Sequence, residues 1–215
     1  MSPGGSGDPG RGPARPDRRH AGVESNARLT GSTAAVLFIL LAAEGLTILR
    51  VRSLLSPHVF IGMLLVPPVL LKMGSTGWRF ARYYLGAPAY RRKGPPPIAL
   101  RLLGPLVVVL TLGVFGSGIG LLFAPASWQS RLLLLHKATF VLWFGVMALH
   151  VLGHLADTAR LAPRDWYRRT RRQVAGAGVR QWSIAASLLL GVWLAVLVVP
   201  HAGTWLAHST SQAVR

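Results

Sequence analysis

The 215-residue chain is 51% hydrophobic and 14% charged, with positive mean hydropathy, which suits a polytopic membrane protein better than a soluble domain of this length. Lysine and arginine outnumber aspartate and glutamate by 24 to 6, but the basic residues fall between apolar runs, the pattern of membrane topology rather than of a nucleic-acid surface. With no cysteine, disulfides, thiolate metal centres and CxxCH attachment are excluded.

Residues 1–31 are rich in Gly, Pro and Arg and poor in large apolar groups, so burial cannot offset ordering entropy and a disordered basic tail is expected. Arg18 and Arg19 lie too far ahead of the apolar run at Thr33 for a strong twin-arginine export signal. That first run, 33–49, leads into Arg50 rather than a cleavage site and reads as an uncleaved transmembrane helix. Glu44 is the only acid in any apolar run. It is a neutral acid bonded to a neighbouring helix, a partner for Lys72, or a proton carrier for quinone chemistry.

The second span, 57–73, lies in SPHVFIGMLLVPPVLLKM. Pro57 suits a first helical turn, whereas Pro67 and Pro68 remove two backbone donors and predict a bend. From 74 to 101, aromatics and arginines followed by three prolines read as an interface and an exposed loop. The third span, 102–124, carries Gly113, Gly116 and Gly120 at i, i+3, i+7 spacing, one shallow face that admits a helix or a flat ring. A short turn, 125–131, precedes the fourth span, 132–155.

That fourth span contains His136, His150 and His154. At 100° per residue His136 and His150 lie about 40° apart, and His154 returns to the azimuth of His136. Three ionisable rings on one face of an apolar helix need a partner that removes their cost. The basic segment 157–181 then reads as a cytoplasmic anchor on anionic lipid. The fifth span, 182–199, has no ionisable residue and serves packing, and 200–215 is a tail. The expected fold is all-α: a polytopic membrane helical bundle with a four-helix core over 32–156 and a fifth transmembrane helix.

Outside the apolar cores, the tail, the 74–101 loop and the 155–181 loop hold five, six and seven Lys and Arg, against Arg50, Arg52, Arg131 and Arg215 on the alternate side. The bias predicts a cytoplasmic N-terminus and an extracytoplasmic C-terminus in a bacterial-type cytoplasmic membrane. Spans two and four then run in the same direction. His58 and His136 share a depth near the outer side; about 21 Å further along, Lys72 and His150 share another near the inner side.

Paired histidines on co-directional helices, a repeat fourteen residues later and nearby glycines resemble the membrane b-type cytochromes, the di-haem cytochrome b subunits of respiratory and dehydrogenase complexes. The likeness covers mainly residues 58–73 and 131–155. In that family each of two helices supplies two histidines thirteen residues apart. The resemblance implies an outer haem b held by His58 and His136. It leaves an inner haem with His150 matched by Lys72, or with His154 as substitute. It further implies porphyrin packing on Gly62, Gly113 and Gly116, propionate contacts from Arg52, Arg131 and Lys137, and a separate catalytic or electron-carrier subunit, with quinone as a candidate partner. Metal-bound imidazoles donate their other N–H to an acceptor, and Thr139, one turn from His136, is such a candidate. The expected role is an electron-transfer subunit rather than a stand-alone enzyme. The rival readings are a haem-free transporter with Glu44, Lys72 and the histidines as a proton path, and a scaffold whose histidines make structural hydrogen bonds.

Overall fold

The computed structural model describes the backbone of residues 18–88, 91, 98–166 and 177–203, and the side chains of 26–88, 91, 101–153 and 178–203. Five long helices carry the fold: α1 (Arg18–Ile48), α2 (Leu55–Tyr84), α3 (Ile98–Phe123), α4 (Ala126–Trp166) and α5 (Ala177–Val198). Each contains a stretch long and apolar enough to cross a bilayer. A helix satisfies its backbone internally, as hydrocarbon demands. Phe38 and Ile39 on α1, Leu134, Val141 and Phe144 on α4, and Leu189, Trp193 and Val196 on α5 are exposed. Such a continuous apolar exterior is one that lipid covers. The protein is a multi-pass membrane helical bundle.

The helices outrun the spans expected from hydropathy. Residues 18–31, assigned by composition to a disordered tail, belong to α1. Polar contacts hold these turns on α2: the Asn26 amide donates to the Ser75 carbonyl at 3.1 Å, and the Thr30 and Ser75 hydroxyls lie 3.1 Å apart. Hydropathy does not register such contacts. α2 continues through Pro67 and Pro68, both buried, and on to Tyr84 through residues expected to form a loop. α4 begins at Ala126, so the turn shrinks to Ala124 and Pro125, and it runs to Trp166 inside the segment expected as loop. The remainder of the expected tails and loops, 1–17, 89–90, 92–97, 167–176 and 204–215, lies outside the described residues.

α1 and α2 form one antiparallel hairpin, with Glu44 beside His58 at one end and Thr30 beside Lys72 toward the other. α3 and α4 form a second, in which Thr111 accepts a 2.9 Å hydrogen bond from the Trp143 indole and Gly120 faces Leu132. The hairpins meet through α1 against α4, and α5 packs along α2. α2 and α4 run in the same direction, as the charge pattern predicts.

The tightest seam joins α2 and α5. Ile184, Ser187, Gly191 and Ala195 are all buried and recur every three or four residues, so they share one helix face. A Cβ at Gly191 would collide with the backbone carbonyl of Leu64; glycine there lets the two backbones approach, the usual service of small residues in membranes. α2 touches α3 only sparsely. Between them lies an apolar crevice of about 230 Å³, lined by Val66, Val69, Met73, Thr111, Phe115 and Gly116 among others.

Candidate functional site

His58 stands in the first turns of α2, facing α1. Its Nδ1 is 2.9 Å from Glu44 Oε1 and 3.0 Å from Thr47 Oγ1. Glu44 and Thr47 are three residues apart on α1, hence on one face. The Thr47 hydroxyl donates to the Glu44 carbonyl at 2.6 Å, which leaves its oxygen lone pairs to accept. With the Glu44 carboxylate also an acceptor, Nδ1 carries the ring proton and Nε2 keeps its lone pair. The site is sheltered: the His58 and Glu44 side chains are 20% and 15% exposed.

His136 is arranged likewise on the other hairpin. Its Nδ1 is 3.1 Å from the Val114 carbonyl and 3.1 Å from Ser117 Oγ on α3. A carbonyl has no proton to give, so Nδ1 is again the protonated nitrogen. Ser117 itself donates to the Gly113 carbonyl at 2.6 Å. The ring lies on the bare backbone of Gly118, where a Cβ would stand 3.0 Å from His136 Cε1. Thr139 is not the acceptor that its spacing suggests. Its hydroxyl turns back to the Leu135 carbonyl at 2.7 Å and the His136 carbonyl at 3.1 Å, the intrahelical bond a threonine makes most easily in an apolar setting.

The two rings meet edge-on between the hairpins, with centroids 6.4 Å apart and planes at 78°. α2 and α4 make no extensive contact of their own, so the rings reach across a gap. Among the described residues neither Nε2 has a hydrogen-bond partner. Metal–nitrogen bonds of about 2 Å, with roughly 1 Å more from each nitrogen to its ring centre, would set two imidazoles about 6 Å apart through a shared metal. No group of three or more His, Cys, Asp or Glu forms a metal site among the described residues. Two donors are too few for a bare ion such as zinc, which takes four. They would suit a tetrapyrrole iron, which needs only two further ligands from the protein.

The other residues singled out by sequence are distributed more widely. Lys72 Nζ donates to the Thr30 carbonyl at 2.9 Å, so it is turned to α1. His150 is half-buried on α4, and the side chain of His154 lies outside the described residues. Arg52 and Lys137 are exposed at the same end of the bundle as the histidine pair, where the Arg131 guanidinium sits 5.8 Å over the Trp128 ring. A Cβ on Gly62 would stand 3.5 Å from Glu44 Oε1, and one on Gly113 would stand 3.3 Å from Thr139 Cγ2. Gly113 therefore serves packing of α3 on α4, while Gly116 opens onto the α2–α3 crevice. Glu44 contacts a neighbouring helix, with His58 rather than Lys72 as its partner. Thr47, Val114, Ser117 and Gly118 escape sequence reasoning because their role depends on the register between antiparallel helices. The one signal was Thr47, three residues after the lone membrane acid.

No protein-family model, curated protein or solved structure matches the chain.

Proposed function

We propose that the protein is a membrane-integral b-type cytochrome that carries electrons through one bis-histidine haem, between quinone and a redox partner on the outer side of a bacterial-type cytoplasmic membrane. What carries this reading is the histidine pair: ring centroids 6.4 Å apart, each Nδ1 bonded to acceptors on its own hairpin, and each Nε2 with its lone pair to give. When bound, haem b supplies a one-electron Fe(III)/Fe(II) couple. His58 and His136 would hold it through two imidazoles, which favours electron transfer over binding of oxygen or substrate. Glu44, Thr47, Val114 and Ser117 hold the tautomer and orientation of the two rings. Arg52, Arg131 and Lys137, at the same end, are the cations available to propionates.

The loop charges put that end on the extracytoplasmic side. The chain carries no flavin, molybdenum or iron–sulfur motif, so it acts as a conduit for a separate catalytic or electron-carrier subunit. Lys72, turned to α1, argues for a single haem rather than a second one shared with His150.

The test is the visible spectrum of the purified protein from cells supplied with haem. Dithionite reduction is expected to give a sharp b-type α-band, and His58→Ala or His136→Ala to remove most of it. Folded, colourless wild-type protein would overturn the assignment. It would favour instead a haem-free transporter or scaffold, for which the 2.9 Å Glu44–His58 contact would be a polar link between helices.

A further inference from the structure

We propose that Glu44 is a positioning residue that makes His58 the stronger of two unequal axial donors and so holds the reduction potential of the iron low; this rests on the haem reading above. The two histidines have matching tautomers but different acceptors. Nδ1 of His58 meets a carboxylate at 2.9 Å, whereas Nδ1 of His136 meets a neutral carbonyl and a neutral hydroxyl, each at 3.1 Å. Hydrogen bonds to an ionised acceptor are shorter and roughly twice as strong as neutral ones. A carboxylate behind a metal-bound imidazole raises the basicity of the ligand. Electron density pushed toward Nε2, together with a nearby negative charge, stabilises Fe(III) relative to Fe(II). The effect is little screened, because Glu44 is 15% exposed and the surroundings are apolar.

Glu44 is held for this work. Thr47 links it to the ring, with its Oγ1 3.4 Å from Glu44 Oε2 and 3.0 Å from His58 Nδ1. One electron from a quinol or from dithionite would reduce the bound group without proton transfer from the protein, and the Nδ1 proton would stay between His58 and Glu44.

The experiment is a mediated potentiometric titration of the holoprotein in lipid nanodiscs, followed at the α-band. Glu44→Gln is expected to keep the low-spin bis-histidine spectrum and to titrate at higher potential, by at least about tenfold in the reduction equilibrium constant, or about 59 mV for one electron. Ser117→Ala, on the neutral side, is expected to move the potential far less. A Glu44→Gln protein with the wild-type potential, or a Ser117→Ala shift of equal size, overturns the inference while leaving the cytochrome reading in place. Should Glu44→Gln fail to hold haem, the ferric wild type decides: its near-infrared charge-transfer band is expected at higher energy than that of a symmetrical neutral bis-imidazole haem. Coincidence with that standard overturns the inference. A wild type that purifies without haem from haem-supplied cells overturns both.

Discussion

The α1–α2 hairpin steadies His58 with a carboxylate and a hydroxyl, whereas the α3–α4 hairpin steadies His136 with a peptide carbonyl and a hydroxyl that Gly118 lets it approach. A carboxylate on a flexible stem reaches across between helices, so the first hairpin tolerates a modest change in spacing. A backbone carbonyl cannot reach, so the ring must come to it, and every atom added at the contact counts. The first half of the site is sensitive to charge and the second to volume.

Breaking the volume-sensitive half should produce the larger effect among substitutions that leave both histidines in place. Gly118→Leu puts side-chain atoms where a Cβ alone would already lie 3.0 Å from the His136 ring. Overpacking of this kind costs about 1–3 kcal/mol, and the α-band should broaden or fall, read by reduced spectra and by thermal unfolding in one detergent. Gly62→Ala, whose Cβ would make an ordinary 3.5 Å contact with Glu44, should leave both measurements near wild type. Equal effects from the two would erase the distinction between the hairpins.

A smaller change is expected from Thr47→Val, which removes one acceptor from His58 but leaves the carboxylate. Side-chain hydrogen bonds between membrane helices average about 0.6 kcal/mol, so the thermal midpoint should drop slightly while the spectrum persists. Smallest of all on the spectrum should be Lys72→Met. That substitution breaks the 2.9 Å bond to Thr30 at the other end of the α1–α2 hairpin, and the haem-to-protein ratio should remain near one. A ratio near two in the wild type that falls to one in this variant would instead assign Lys72 to an inner haem.

The five helices and the shared direction of α2 and α4 were legible in the chain because hydropathy and the Lys and Arg bias are properties of segments. The proximity of His58 and His136 followed from the same two signals plus the rise of a helix. What stayed hidden was anything set by the register of one helix on another. Thr139 has the right spacing from His136 yet bonds within its own helix, and the acceptors belong to Val114 and Ser117 on α3. Among the glycines, a row at 113, 116 and 120 drew notice for its periodicity, whereas the ring rests on Gly118, off that row. Pro67 and Pro68, which predict a bend, lie inside one continuous helix, since local adjustment and neighbouring helices can satisfy the backbone groups that prolines free. The early turns of α1 were missed because polar bonds from Asn26 and Thr30 to α2 attach them.

The two imidazoles belong to separate hairpins, and the helices that bear them hardly touch. On the proposed reading, a haem held by both would be a cross-brace as much as a redox centre. A ligand that binds only the packed arrangement would stabilise it by mass action, so on that reading cofactor insertion and the docking of the halves would be one event. Neither hairpin expressed by itself could complete the coordination.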